Sequence, residues 1–259
     1  ADGGSPRTGQ VAMRPTLGGR RSTYGQDLRP RSVGPIVSVW RSFVALAIRL
    51  VGSAASTGAV ATRALRFDLV DVGREALTAV FDDRLARFRA AVGRQDVSSA
   101  RTASSAMIEV VRDLDRLLST DEHFMLGPWL AWARSWGHGT AERRWLEFNA
   151  RNQITIWGPN GEIVDYATKA WGGLTSSYFE PRWELFVKRV LEALDAKTTF
   201  DQKGFDLEVF HSVELPWQNG TESFPESPVE DAVEVSSELL GKYAPAATSA
   251  RSDGIITFV

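Results

Sequence analysis

From about Thr62 to Val92, the apolar residues Leu65, Leu69, Val72, Ala76, Val80, Leu85, Phe88 and Val92 recur at steps of three, four and once five. That spacing lines one face of an α-helix. A helix of roughly 30 residues is ~45 Å long, more than a small domain is wide, so the rest of the fold has to be built along it. The charges Arg74, Glu75, Asp82, Asp83, Arg84 and Arg87 fall mainly on its other faces.

Shorter stretches repeat the pattern. Trp40, Phe43, Val44, Ala47 and Val51 form a stripe on a helix that starts near Pro35, followed by a small, polar loop from Gly52 to Val60. A helix over about Val97–Leu118 turns Met107, Val110, Val111, Leu114, Leu117 and Leu118 inward. Asp121–Trp136 and Thr140–Gln153 read as two more, joined at Gly137-His138-Gly139. Helical pattern resumes over about Val164–Tyr178, and Pro181 stands at a first-turn position for a helix to Leu194. Phe205–Val213 is a short amphipathic stretch. Ser227-Pro228-Val229-Glu230 has capping-box spacing for a last helix to about Tyr243. Ile154-Thr155-Ile156-Trp157 is the one short β-like run, and it ends in the turn signal Gly158-Pro159-Asn160-Gly161. The expected fold is all-α: a bundle-like domain of about eight helices with one short β-like turn segment near 154–161.

The ends differ in composition. Residues 1–34 carry seven Gly, six Arg and two acids, a local charge of +4 in a chain whose formal net charge is −2. Such sequence buries too little apolar surface to offset its ordering entropy, so a flexible leader is expected. The alternative is an extended segment that orders only against a missing neighbour. Residues 35–245 form the helical domain, and 246–259 a tail ending in the β-prone Ile255-Ile256-Thr257-Phe258-Val259.

Composition excludes several chemistries. With no cysteine there is no disulfide, thiol nucleophile, iron–sulfur cluster or Cys-ligated zinc. With 30 Lys+Arg against 32 Asp+Glu there is no bulk electrostatic case for nucleic acid or an anionic membrane. Arg41 and Arg49 interrupt the most apolar stretch, Ile36–Val51, so no membrane span is expected. The chain opens on Ala without a basic-then-apolar signal peptide, and reads as soluble, complete or a piece of something longer. His123, His138 and His211 never share the four-residue spacing that places two imidazoles on one helix face, and no metal site is expected. No phosphate-binding loop, dinucleotide fingerprint or nucleophile elbow is present, and no cofactor is expected.

Seven of the nine Trp lie between Trp129 and Trp183. Trp129, Trp132 and Trp136 at helical spacing, with Trp145 and Trp183, read as core. Trp157 stands beside a turn, where an indole face is able to meet the apolar face of a sugar ring. Glu147, Glu162, Asp165 and Glu180 are available for carboxylate chemistry, although spacing alone pairs none of them. The acidic stretch 201–240, with ten acids against Lys203, reads as a solvated face.

Arg151-Asn152-Gln153-Ile154-Thr155-Ile156-Trp157-Gly158-Pro159, continuing through Asn160-Gly161-Glu162-Ile163-Val164-Asp165-Tyr166-Ala167, resembles the C-terminal helical domain of α-N-acetylglucosaminidase, glycoside hydrolase family 89. So do Tyr178-Phe179-Glu180-Pro181-Arg182-Trp183-Glu184-Leu185-Phe186, Phe67-Asp68-Leu69-Val70-Asp71-Val72 and Phe124-Met125-Leu126-Gly127-Pro128-Trp129-Leu130. The likeness runs from about Arg14 to Pro245, while residues 1–13 and 246–259 find no clear counterpart.

The resemblance implies an enzyme that removes terminal α-linked N-acetylglucosamine with retention, using two Glu on a (β/α)-barrel that precedes this domain. Retention needs two carboxylates ~5 Å apart, and no catalytic residue carries over to any position here. It further implies pocket residues lent by the turn: Trp157 as an aromatic wall, Ile163 as an apolar contact and Tyr166 as a hydroxyl donor, with Arg151 and Arg182 as structural support. The implied partners are a glycan ending in N-acetylglucosamine and the barrel of the same enzyme, in a lysosomal (animal) or secreted (bacterial) setting. A leader packed on that barrel also fits. The other reading is a non-catalytic helical carbohydrate-binding or interaction module, and a degenerate copy is a third. A homo-oligomer is left open.

Overall fold

The structure is a computed structural model that describes residues 10–18, 32–52, 59–158 and 160–248. Most of the leader, the loop 53–58, Pro159 and the tail from 249 onward, with its β-prone end, lie outside the described residues. The fold is all-α, with eight helices longer than a single turn among the described residues and one two-stranded sheet.

The long helix expected near 62–92 is α2, Ala59–Gly93. It is more central than an amphipathic helix would be. Ala76, Leu77, Thr78, Ala79, Val80, Phe81 and Asp82 are buried in succession, so every face is covered over two turns. Arg74 and Asp82, which fall on the faces away from the apolar stripe, are therefore buried too. Arg74 is held by Asp71 at 2.7 Å and Glu75 at 3.1 Å, while Asp82 accepts the backbone N–H of Gln10 at 3.2 Å. A buried charge persists only with such partners.

Three helices sheathe α2: α1 (Val33–Gly52), α3 (Val97–Leu118) and, last in the chain, α9 (Ala232–Thr248). Trp40 of α1 and Leu117 of α3 meet over Gly73 of α2, where a Cβ would stand 2.8 Å from the indole and 2.7 Å from the leucine methyl. In α1, Val37, Trp40, Val44 and Ala47 are buried, while Val39, Leu46 and Ile48 are exposed. Despite Arg41 and Arg49, the window Val33–Leu50 has a mean hydropathy of 1.5, so this one helix is apolar and long enough to cross a membrane by length and composition. A core helix meets the same criterion, and α1 packs as one on its inner face.

The remaining helices form a second layer. An α4 (Leu126–Ser135)–α5 (Thr140–Ile154) hairpin leads to strands β1 (Ile156–Trp157) and β2 (Ile163–Val164). Then come α6 (Glu180–Asp195), which packs on α3, and the short α7 (Gln202–Val209) and α8 (Leu215–Gln218).

Five local expectations fail, four to a tertiary contact and one for want of it. Residues 164–173 are not helical: after β2 the chain passes positive φ at Asp165 (57°), Thr168 (44°) and Gly173 (86°), and only the end of the expected helix turns, as a π-helical turn, Thr175–Phe179. Gly172 instead exchanges backbone hydrogen bonds with residues 124–126, at 2.7 and 3.0 Å. This splits the helix expected over Asp121–Trp136, which begins only at Leu126. The final helix starts after Asp231, whose carboxylate accepts the N–H of Val233 at 2.8 Å. Glu230 of the expected capping box is drawn to Arg116 at 2.8 Å instead. Residues 10–18 of the leader belong to the core: Val11 and Ala12 are wholly buried, and the indole N–H of Trp183 donates to Val11 O at 2.9 Å. Finally Trp132, Trp136 and Trp145, read as core, are 73, 78 and 63% exposed, and only Trp183 of those indoles is fully buried.

In an open helix, Gly→Ala stabilises by up to ~1 kcal/mol. At Gly73 the crowding of Trp40 and Leu117 reverses the sign, and Gly73→Ala should cost about 1–3 kcal/mol through overpacking. Urea unfolding of the two proteins reads the difference directly.

Candidate functional site

The candidate site grows from the C-terminal end of α5. Thr155 turns its hydroxyl back onto Arg151 O at 2.7 Å and ends the helix. The strands then pair antiparallel, Ile156 opposite Val164 and Trp157 opposite Ile163. Gly158 and Gly161 hold positive φ of 87° and 65°. A Cβ at Gly161 would lie 2.6 Å from the Phe210 ring, so glycine is required there by both backbone and packing. Gln218 fixes β1 from below, donating to Ile156 O and Asn152 Oδ1, each at 2.9 Å.

Trp157, Ile163 and Tyr166 come together on this hairpin. The Trp157 and Tyr166 rings lie 5.1 Å apart, tilted by 31°. Ile163, cross-strand from Trp157, is 39% exposed and Tyr166 46%. The indole Nε1 of Trp157 is shielded from solvent without a hydrogen-bond partner. The hairpin's own N–H at Glu162 and the Asn160 amide, 2.9 Å away, hold the Glu162 carboxyl below the usual glutamate range.

Two buried arginines carry the hairpin. Arg182, on α6, makes a bidentate pair with Asp165 at 2.8 and 2.7 Å, and its Nε lies 3.2 Å from Glu214 Oε1. Arg14 completes the group: its backbone N–H donates to Asp165 Oδ2 at 2.6 Å and its guanidinium to both Glu214 oxygens. Burial opposes the Arg182 cation, but Asp165 and then Glu214 outweigh it and raise its pKa. Tyr178, over which Arg182 lies at 4.7 Å, is pushed well above the ordinary phenol range by burial. Arg151 is wholly buried and donates to Glu147 Oε1 (2.9 Å), Trp217 O (3.2 Å) and Glu222 O (2.9 Å), with the Trp217 ring 4.8 Å from its Cζ.

The four carboxylates available for chemistry go to four different partners. Glu147 holds Arg151, Asp165 holds Arg182, Glu180 holds Arg112, and Glu162 holds Asn160. Sequence reasoning missed Arg14 and Glu214. Glu214 left one signal, a lone acid in the largely apolar stretch Val209–Trp217, which also holds His211 and Ser212. Among the described residues no group of three His, Asp or Glu is placed to hold a metal ion.

Fold and site together define a helical domain that presents an aromatic hairpin on buried ion pairs. The family model described as alpha-N-acetylglucosaminidase (NAGLU) C-terminal domain matches residues 5–242, and the chain belongs to that family. Human alpha-N-acetylglucosaminidase is 32% identical over an alignment of 240 positions that covers 87% of this chain and 32% of that protein. A family 89 glycoside hydrolase from Clostridium perfringens, solved with PUGNAc, superposes with a TM-score of 0.75 at 21% identity, over 91% of this chain and 26% of that one. The Clostridium perfringens CpGH89 structure with its substrate GlcNAc-α-1,4-galactose gives a TM-score of 0.75 at 19% identity, covering 92 and 27%. The chain thus spans about a third or less of the length of these relatives.

Two outcomes test the site's electrostatics. Asp165→Asn keeps the side chain's size and its tolerance of positive φ but removes the charge facing Arg182, and should cost roughly 3 kcal/mol in guanidinium unfolding. Glu162 should titrate below the ordinary range by carbon-detected NMR, with Asn160→Ala moving it up. Because the folded value is the lowered one, its support of the hairpin is complete above the unfolded pKa and is lost as pH falls through the lowered value.

Proposed function

We propose that this chain is the pocket-wall domain of a retaining α-N-acetylglucosaminidase, whose catalytic Glu pair stands on a (β/α)-barrel outside the 259 residues. Trp157 forms an aromatic wall for the terminal N-acetylglucosamine, Ile163 an apolar contact and Tyr166 a hydroxyl donor. Arg151 and Arg182 do not touch sugar; they hold the hairpin in place. The observation that carries this reading is the Trp157–Tyr166 ring pair with Ile163 exposed across the strand, on a hairpin whose backbone is pinned from below.

An aromatic face suits the C–H side of a pyranose, and a hydroxyl donor suits its oxygens. Hydrolysis itself needs an acid and a nucleophile facing each other across the bond, and the hairpin's one carboxylate, Glu162, is engaged with Asn160. Membership of the family and the span of this chain against its relatives support the division of labour between wall and barrel. The same reading places the chain in an extracytoplasmic or lysosomal compartment.

The isolated chain should not turn over an aryl α-N-acetylglucosaminide, and measurable turnover by it would sink the proposal. Joined to a family barrel, the chain should restore hydrolysis. Trp157→Ala in that protein should lower kcat/KM by about tenfold or more, as loss of one aromatic contact predicts. An unchanged kcat/KM removes Trp157 from the pocket. N-acetylglucosamine bound by the isolated chain and lost in Trp157→Ala would favour the standing binding module instead.

A further inference from the structure

Three tryptophans that the hairpin does not use converge elsewhere. Trp129 and Trp132 of α4 and Trp171 line an open groove of about 560 Å³ whose rim carries Glu122, His123 and Glu226. Trp157, Ile163 and Tyr166 contribute nothing to it. The volume falls in the range of pockets that enclose a small molecule.

The groove is built on fixed parts. The indole N–H of Trp129 donates to Ala150 O at 3.1 Å, which sets its ring orientation. Trp171 stands 5.8 Å from Trp129 at 53°, with Lys169 Nζ 5.6 Å from its ring. The neighbouring Gly172 is tied to residues 124–126 by its backbone bonds, so the two walls are stitched together. His123 is held at Nδ1 by Asp121, 2.7 Å away. Trp132, 73% exposed, leaves a broad indole surface at the mouth.

From this juxtaposition we infer that the groove binds the rings of a neutral oligosaccharide, as a second sugar site separate from the hairpin. Indole faces at fixed angles take the apolar C–H faces of successive pyranoses. The carboxylates of Glu122 and Glu226 and the imidazole of His123 offer acceptors and a donor to ring hydroxyls. The two rim carboxylates repel acidic sugars, so uronate-bearing or sulfated chains are disfavoured. An apolar protein partner fits worse, because it would bury Glu122 without supplying a cation, whereas Glu226 already has Arg134 at 3.6 Å. The inference does not rest on the pocket-wall reading, since the residues are different.

The test is an NMR titration of the 259-residue chain with neutral disaccharides: GlcNAc-α-1,4-galactose, N,N′-diacetylchitobiose and cellobiose. At least one should shift the Trp132 and Trp171 indole signals saturably. Trp132→Ala and Trp171→Ala should each weaken that binding by about tenfold, the worth of one stacking contact. Trp157→Ala should leave it unchanged, which separates failure here from failure of the hairpin proposal. Trp132 is exposed, so its variant folds even if the Trp171 variant does not. The inference is overturned if no disaccharide shifts these signals, if Trp132→Ala binds as well as the parent, if an acidic disaccharide binds more tightly, or if the signals move only with protein concentration through self-association.

Discussion

Arg182, Asp165, Glu214 and Arg14 form one buried group of two cations and two anions, and much of the molecule's shape follows from the need to keep it complete. Their side chains are 0, 6, 0 and 12% exposed. At that burial a single unmatched charge costs several kcal/mol, so the group is tolerable only as a neutral whole. Its members come from the leader, the loop after β2, α6 and a second π-helical turn, Phe210–Glu214, before α8, which are distant in sequence. Satisfying one ion therefore fixes four segments at once. Asp165 takes positive φ where it pairs with Arg182, which interrupts any helix over 164–173. Arg14 draws residues 10–18 into the core.

The same group supplies a rigid base for a surface that has little of its own. The hairpin contains two paired residues per strand and would be unstable alone. Asp165 anchors its outgoing strand, Gln218 its incoming strand, and Arg151 the segment 217–222 beneath it. Trp157 and Tyr166 consequently stand on a platform whose charges are fully spent on one another. That arrangement suits a wall that positions a substrate, and it leaves the bond-breaking chemistry to groups elsewhere. The Trp129–Trp171 groove is built by the same logic, with aromatic faces set by backbone hydrogen bonds.

Much of this was legible beforehand, because apolar spacing reports which face of a helix is buried. The long helix, its neighbours and the β-like run followed from residues a few positions apart; the second strand, whose Val164 was expected to open a helix, did not. The pairing of Arg182 with Asp165 did not, although both lay in segments that drew attention, because 17 residues of sequence say nothing about approach in space. Glu214 was hidden among ten acids in a stretch that resembled a solvated face. The Trp positions at 129, 132 and 136 had the spacing of a buried stripe, yet α4 lies at the edge of the fold and has nothing packed over Trp132 and Trp136.

By itself the sequence determined the all-α class, the length of the central helix and the family to which the chain belongs. These depend on local periodicity and on contiguous motifs. Only the tertiary structure decided which charges are buried, which tryptophans face solvent and that part of the Gly/Arg-rich leader is core. Each of those outcomes balances desolvation against a partner that arrives from another part of the chain, and no local pattern records where that partner stands.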